Sequence, residues 1–265
     1  MTPPSLPHFL AIHPDAILVE VAEAKGSTPR EAGAFMVVAT DALHGTIGGG
    51  QLEFLAIDHA RRMLLSGEQS AVLDVPLGPE IGQCCGGRAG LALTRLDATA
   101  RAALIARQGA VEKAYPDVFV FGAGHVGLAL AKALGPLPLA VTLIETRDVT
   151  DDGLPQGTKL RRVAMPEAEV ATIRTGGAAV ILTHDHALDF LIARDALARP
   201  DLAYVAMIGS ATKRATFTRW LRREGAEPHL GDRLVLPIGG TALRDKRPPV
   251  IAALVAAELL TALLA

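Results

Sequence analysis

The sequence contains little of what several classes of protein require. It has two cysteines in 265 residues, and they are adjacent, so no disulfide framework can form and we expect a reducing, cytoplasmic setting. The formal net charge is −2, which provides no basic field for a nucleic-acid backbone. One apolar stretch, residues 250–265, is shorter than the about 20 residues that cross a bilayer, so we expect a buried helix and no membrane partner. The hydrophobic share of 50% is ample for packed cores.

The composition changes near residue 112. The alanine- and arginine-rich stretch 97–113 predicts a helix that is capped at Asp97 and ends around Gly109. A turn-like Tyr-Pro-Asp sequence follows it. We therefore predict two domains, residues 1–112 and 113–265.

After this boundary, short apolar runs alternate with helical stretches. The predicted strands are 118–121, 139–144, 160–164, 178–183, 203–208 and 234–237, and the predicted helices are 125–134, 187–198, 212–225 and the end of the chain. Continuous apolar strands that alternate with helices indicate a parallel sheet covered on both faces. The fold class is thus α/β, with a doubly wound sheet in the C-terminal domain.

The first 96 residues have a different pattern. Strands are predicted at 16–24, 34–39, 73–75 and 91–95, with a helix over 51–66. Glycines collect between these elements, so we expect an α+β domain whose chemistry lies on glycine-rich loops.

A GxGxxG sequence lies between the first predicted strand and helix of the C-terminal domain. Gly122 permits the tight turn, Gly124 lets a phosphate approach the backbone, and Gly127 lets helix and strand pack closely. Glu145 ends the next strand, where an acid can bond a ribose hydroxyl. The pattern indicates a Rossmann-type domain. The loop can bind a nicotinamide cofactor, but packing alone or another phosphate-bearing ligand explains it equally well.

Further residues that can contact a ligand follow the strands of this sheet. They are His125 after the first strand, His184, Asp185 and His186 after the fourth, Ser210 and Lys213 after the fifth, and Gly239 and Gly240 after the sixth. Ligands of such sheets bind beyond the carboxyl ends of the strands, so we expect these residues to converge on one crevice. The two histidines of 184–186 can be interpreted as metal ligands, whereas Asp185 and Asp189 can equally cap the following helix.

The adjacent thiols Cys84 and Cys85 stand between glycines in the sequence Gly-Gln-Cys-Cys-Gly-Gly. This setting predicts an exposed loop in which the thiols act as soft ligands or nucleophiles. Two small, half-buried apolar side chains are the alternative interpretation.

A second glycine-rich loop, with Gly48, Gly49 and Gly50, opens the helix that carries Glu53. Free N–H groups at a helix start favour an anion, and Arg30 in the sequence Gly-Ser-Thr-Pro-Arg adds a guanidinium. We expect a pocket for a polar, phosphorylated molecule. Glu53 can instead serve only to complement the helix dipole.

Taken together, the motifs of both domains resemble the XdhC/CoxI family in their order along nearly the whole chain. They are KGSTPREAGAFMVV (25–38), GTIGGGQLE (45–53), GQCCGG (82–87), VFGAGHVGLALAKAL (120–134), LTHDHALD (182–189), MIGSATKRATF (207–217) and LPIGG (236–240). The last motif departs from a longer PIGLDIG sequence of many relatives, so that only Gly239 is carried over from it.

This resemblance implies a chaperone rather than an enzyme. Family members bind the molybdenum cofactor, support exchange of an oxo for a sulfido ligand with a cysteine desulfurase as sulfur source, and deliver the cofactor to apo xanthine dehydrogenase. It also implies contact with cofactor-biosynthesis proteins and a cytoplasmic homodimer. Cys84 and Cys85 then become candidate contacts of molybdenum or its sulfur.

The candidate cofactor-binding residues come from both domains. They are Gly48, Gly49, Gly50, Glu53, Cys84, Cys85, Gly122, Gly124, His125, Gly127, Glu145, His184, Ser210 and Lys213. A nucleotide in the Rossmann crevice is compatible with the same residues. Two other functions use that crevice: an NAD(P)-dependent oxidoreductase, and a nucleotidyl transferase or nucleotide sensor.

Overall fold

The computed structural model describes residues 4–78, 86–227, 229–241, 243 and 245–265. The chain forms two compact units, Met1–Gly109 and Ala110–Ala265. The division falls within the helix Ala98–Ala114.

The N-terminal unit is a five-stranded sheet with three helices. Its elements are α1 (Leu6–Ile12), β1 (Ile17–Lys25), β2 (Phe35–Val38), β3 (Leu43–Gly45), α2 (Gly50–Ser66), β4 (Ser70–Pro76), β5 (Arg88–Arg95) and α3 (Ala98–Ala114). The strand order is β3-β2-β1-β5-β4, and every pairing is antiparallel. This confirms the predicted α+β domain, and the structure adds that its sheet is antiparallel.

Side chains alternate between the two faces of this sheet, as the pleat of a strand requires. Ile17 and Val19 of β1 pack in one core with α2, whereas Leu18, between them, packs in a second core with α1 and α3. Burial on both faces explains why β1 has no clear alternation of polar residues.

Helix α3 does not end around Gly109 as predicted but continues to Ala114. No neighbouring atom lies within 4 Å of a Cβ built on Gly109, so the glycine is neither needed for packing nor used as a cap. A glycine inside a helix weakens it by about 1 kcal/mol without ending it.

The C-terminal unit is built on a six-stranded, wholly parallel sheet. Its elements are β6 (Asp117–Phe121), α4 (His125–Leu134), β7 (Ala140–Glu145), β8 (Lys159–Arg162), β9 (Ala178–Ile181), α5 (His186–Leu197), β10 (Tyr204–Met207), α6 (Ala211–Arg223), β11 (Leu234–Val235) and α7 (Pro248–Leu264), with short 3-10 helices over Pro166–Thr172 and Leu230–Arg233. The order β11-β10-β9-β6-β7-β8 confirms the predicted doubly wound sheet.

Two apolar cores cover the faces of this sheet. One contains α5 and α6, and the other contains α4 and α7. Val255 and Leu259 of α7 are fully buried there. In the described part of the chain, no helix is both long and apolar enough to cross a membrane.

Candidate functional site

The chain order of the parallel sheet reverses between β6 and β9, which are neighbours although four elements separate them in the sequence. Such a switch point opens a crevice at the carboxyl ends of the strands. A small cavity of about 10 Å³ lies there, lined by Gly122, Glu145, Thr146, Thr183 and His184 among others. This volume holds about one water molecule.

The glycines of the loop after β6 have different steric surroundings. Gly122 has φ +115°, and a Cβ atom built on it would lie 2.5 Å from the carbonyl oxygen of Leu182. A Cβ on Gly127 would lie 1.9 Å from the carbonyl oxygen of Gly122. A Cβ on Gly124 would meet no atom within 4 Å. Thus Gly122 and Gly127 are required by packing, and Gly124 leaves open space at the start of α4.

Glu145 is buried and its carboxylate is fully engaged within the protein. It accepts the N–H of Ala123 at 2.9 Å and that of Thr146 at 2.8 Å, and Arg147 binds it through Nη2 at 2.7 Å and Nε at 3.2 Å. Burial raises the pKa of Glu145, but the Arg147 side chain and these backbone N–H groups outweigh it and lower the pKa to about 2. A ribose hydroxyl would have to compete with Arg147 for this acceptor.

Replacing Glu145 by glutamine should lower the free energy of unfolding at pH 7 by about 2 kcal/mol, because hydrogen bonds to a charged acceptor are lost. The native pKa of about 2 lies below the ordinary value of 4.5. This contribution is therefore complete above about pH 5 and is lost as the pH falls toward 2. Urea unfolding at a series of pH values should show the native and Glu145→Gln proteins converging over that window.

Asp148→Asn is the matched control for this prediction, since Asp148 is exposed and also pairs with an arginine, Arg162. It should change the free energy of unfolding by less than about 1 kcal/mol. Equal losses of unfolding free energy in the two variants would show that the buried hydrogen bonds of Glu145 stabilise the protein no more than an exposed ion pair does.

The polar residues after β6, β9 and β10 divide into an exposed and a buried set. His125, His184 and Ser210 are exposed. Asp185 caps α5, because its side chain accepts a hydrogen bond from the backbone N–H of Ala187 at 2.8 Å. This agrees with the helix-cap interpretation of Asp185. Within the described ranges, no group of three or more His, Cys, Asp or Glu side chains is arranged to hold a metal ion.

Asp189 and Lys213 form a buried ion pair behind the crevice, with exposed side-chain fractions of 1% and 9%. Asp189 also accepts the hydroxyl of Thr183 at 2.7 Å and its N–H at 3.1 Å. Lys213 Nζ donates in addition to the carbonyl of Ile208 at 2.9 Å. The pair therefore fixes the segments that follow β9 and β10, and the charge of Lys213 is neutralised.

Gly239 is not directed toward the crevice. Its N–H donates to Glu258 of α7 at 3.1 Å, and the same carboxylate accepts the hydroxyl of Tyr204, the first residue of β10. Because β11 has only two residues, the chain turns back toward α7 soon after the sheet. The expected convergence thus holds for Glu145 and His184 but not for Gly239.

The glycine loops of the N-terminal unit lie against one another. A Cβ on Gly87 would be 2.2 Å from the carbonyl oxygen of Ser27, and one on Gly48 would be 2.4 Å from Cβ of Pro29. The loop after β1 therefore touches both the helix start at Gly50 and the beginning of β5. Arg30 is exposed at this junction.

Glu53 occupies the anion-binding position predicted at the start of α2. Its carboxylate accepts the hydroxyl of Thr46 and the N–H of Ile47, the latter at 2.9 Å. Partial burial raises the pKa of Glu53, but the Thr46 hydroxyl and the backbone N–H groups of this loop outweigh it and lower the pKa. Glu53 is therefore more than a partner of the helix dipole, and a phosphate at the same N–H groups would have to displace it.

Cys84 and Cys85 lie outside the described residues. The chain on either side of them is closed by two hydrogen bonds, from Leu77 N–H to the Gly87 carbonyl and from Gly86 N–H to the Leu77 carbonyl, both 2.8 Å. The segment that contains the thiols thus connects the adjacent strands β4 and β5.

Comparison with known proteins decides the family. A model of the XdhC Rossmann domain matches residues 118–259, more than half of the chain, and a model of the XdhC and CoxI family matches residues 11–75. The chain belongs to the XdhC family. The resemblance stated from the motifs is confirmed.

Individual relatives of this XdhC-family chain are distant in sequence. Uncharacterized protein YqeB of Escherichia coli (strain K12) is 27% identical over 251 residues, 92% of this chain and 42% of YqeB, so the chain spans about two fifths of that relative. A crystal structure described as a xanthine dehydrogenase (BH1974) from Bacillus halodurans has a TM-score of 0.77 at 16% identity, covering 97% of this chain and 95% of that one. The latter establishes a shared fold.

The sequence interpretation missed two contributors to the XdhC-type crevice, Arg147 and the pairing of Asp189 with Lys213. Arg147 stands two residues after the acid that it binds, where an ion pair could have been anticipated. The second pair joins the first turns of the helices that follow β9 and β10, which are neighbours in the sheet. That placement was a readable signal for a contact.

Proposed function

We propose that this chain binds the molybdenum cofactor and delivers it to apo xanthine dehydrogenase, with sulfuration of the cofactor fed by a cysteine desulfurase. The observation that carries the proposal is the match of the two XdhC family models, in order, to the two units. Contacts with cofactor-biosynthesis proteins and a homodimeric, cytoplasmic state belong to the same proposal.

The N-terminal unit has features that suit this cargo. Positions 49 and 86 are glycines with φ of +81° and +69° and open space where a Cβ would stand, so a ligand can approach their backbone. Arg30 is exposed, and its Cγ lies 3.5 Å from the Cβ position of Gly48, so that its guanidinium can serve the pterin phosphate. The thiols of Cys84 and Cys85 are soft donors suited to molybdenum or its sulfur.

The acid of the Rossmann crevice is engaged within the protein instead of being free for a ribose hydroxyl. Glu145 is held by Arg147 through Nη2 at 2.7 Å. These contacts support binding or positioning in preference to an NAD(P)-dependent oxidoreductase. Open space at Gly124 remains compatible with a bound nucleotide.

A transfer experiment tests the proposal. The purified chain is incubated with molybdenum cofactor, freed of excess by gel filtration and mixed with apo xanthine dehydrogenase. We expect the pterin to co-elute with the chain, as identified by mass spectrometry, and the dehydrogenase to gain activity. Absence of both, together with turnover of NADH or NADPH by the chain alone, would replace the proposal by the oxidoreductase.

Replacing the cysteines should weaken cofactor binding by about tenfold or more, because a metal–thiolate or sulfur contact is lost. Cys84→Ala, Cys85→Ala and the double variant are compared by equilibrium titration with the cofactor, and circular dichroism checks the fold.

The chain has two cysteines, so the double variant removes every thiol and provides its own control. Alkylation with iodoacetamide should weaken binding in the native protein and leave the double variant unaffected. Native-like affinity in all three variants would assign the thiols a structural role.

A further inference from the structure

Helix α6 carries a concentration of positive charge that the function of the crevice does not use. Its sequence, ATKRATFTRWLRR, has five basic residues and no acidic residue, in a chain of formal net charge −2. Phe217 and Leu221 are the buried residues on the inner side of the helix. The outer side is an open surface that faces solvent. The residues of this arginine face are Ala211, Arg214, Ala215, Thr218, Arg219 and Arg222.

The positive charges of this face have no carboxylate partner in the described chain. Lys213 is the residue of α6 that forms an ion pair there. Arg214 is held by carbonyl groups, donating to Leu234 at 2.8 Å and Leu236 at 2.6 Å. Arg219 makes long contacts of 3.3 and 3.4 Å within the helix. These contacts orient the guanidinium groups without neutralising them.

Stabilisation of the helix explains only part of this arrangement. Arg222 and Arg223 stand in the last turn, where cations are favourable to the helix dipole. Arg214 and Arg219 stand earlier, where that effect has faded. The other residues of the face, Ala211, Ala215 and Thr218, have short side chains, so side chains of a partner can approach the helix backbone.

We propose that the arginine face of α6 docks onto an acidic surface of the protein that receives the cofactor, an inference that rests on the function proposed above. Charge complementarity favours an acidic partner. A protein is favoured over a nucleic acid because the whole chain is acidic on balance. In addition, the aromatic residues next to the face in sequence, Phe217 and Trp220, pack against Phe190, with ring centroids 5.1 and 5.6 Å from it.

Two variants test this surface. Arg219→Glu/Arg222→Glu reverses two charges of the face, and the corresponding Arg→Gln variant removes them without placing anions near a helix C-terminus. Arg61→Glu/Arg62→Glu on α2 is the matched control, an exposed arginine pair in the other unit. Circular dichroism checks each fold.

The first measurement uses a fluorescent helical peptide of glutamate and alanine, titrated with the full chain and followed by anisotropy at about 50 and about 300 mM salt, since screening weakens exposed charges. We expect native and control proteins to bind it at low salt. The charge-reversed variant should bind at least about tenfold more weakly, and the Arg→Gln variant should lie between. No binding by the native chain, equal binding by the charge-reversed variant, or tighter binding of a duplex DNA than of the peptide would overturn the proposal.

The second measurement is activation of apo xanthine dehydrogenase by cofactor-loaded protein. The charge-reversed variant should hold the same amount of cofactor but need at least about tenfold more protein for half-maximal activation. If the native chain activates and the charge-reversed variant matches it, the docking surface is refuted while the proposed function stands. If the native chain does not activate, the proposed function fails and the peptide titration alone decides the surface. Dissociation of a native dimer by the charge reversal would assign the face to a second copy and refute it.

Discussion

Replacing Gly127 by alanine is expected to lower the free energy of unfolding of the C-terminal unit by about 3 kcal/mol, the upper range for overpacking. The added Cβ would stand 1.9 Å from the carbonyl oxygen of Gly122. Backbone forms both sides of that contact, so no flexible side chain can move aside, and helix α4 would have to shift away from β6. The single tryptophan of the chain, Trp220, lies in this unit, and its fluorescence during urea unfolding reports the loss.

Gly124→Ala provides the matched control, three residues earlier in the same motif. Gly124 has φ −76°, and its Cβ position is open. The substitution should change stability by less than about 1 kcal/mol, as for other changes at the N-cap of a helix. Equally large losses in the two variants would show that Gly124 is also limited by packing. Losses below about 1 kcal/mol in both would show that the close contact at Gly127 does not limit stability.

The contrast between these glycines shows how much of the C-terminal fold could be predicted from sequence. The strand runs were readable because parallel strands are buried on both faces, as in Ala178–Ile181, where every residue is buried. The observed start and end of α4, His125–Leu134, agree with the prediction. In these elements the local sequence pattern and the burial in the folded structure indicate the same secondary structure.

Elements without such a signal were not predicted. Strand β3 has three residues, none of them fully buried, and it is recognised only by its pairing with β2. Helix α1 is seven residues long, shorter than sequence periodicity can establish. The extent of α3 beyond Gly109 likewise depends on packing that no local pattern records.

The candidate sites were predictable as loops but not as sets of side chains. The sequence located Glu145 and Glu53 at the ends of a strand and a loop, where acids often meet ligands. The structure shows that each instead accepts hydrogen bonds from its own neighbourhood, from Arg147 and from Thr46. Which donors bind a carboxylate depends on the backbone conformation of the loop, and the residue composition of the loop does not determine that conformation.

Lys213→Met should be as damaging as the Gly127 substitution, lowering the free energy of unfolding by about 3–5 kcal/mol, the cost of a buried charge that has lost its partner. Asp189, with 1% of its side chain exposed, would then keep only the hydrogen bonds of Thr183. Because Thr183 and His184 line the crevice, the loop that carries them should open more often. Hydrogen exchange of its amides should accelerate by about 100-fold or more, in proportion to the lost free energy.

A second substitution separates the effect of the unpaired charge on Asp189 from the other effects of losing the Lys213 ammonium group. Asp189→Asn added to Lys213→Met leaves a neutral acceptor for Thr183 and should recover most of the stability, because the unpaired charge is gone. Arg62→Met, which breaks the exposed pair with Asp58, is the control and should cost less than about 1 kcal/mol. If the double variant were as unstable as Lys213→Met, the unpaired charge of Asp189 would not be the cause. The loss would then be assigned to the hydrogen bond from Lys213 Nζ to the carbonyl of Ile208, 2.9 Å long, which both variants lack.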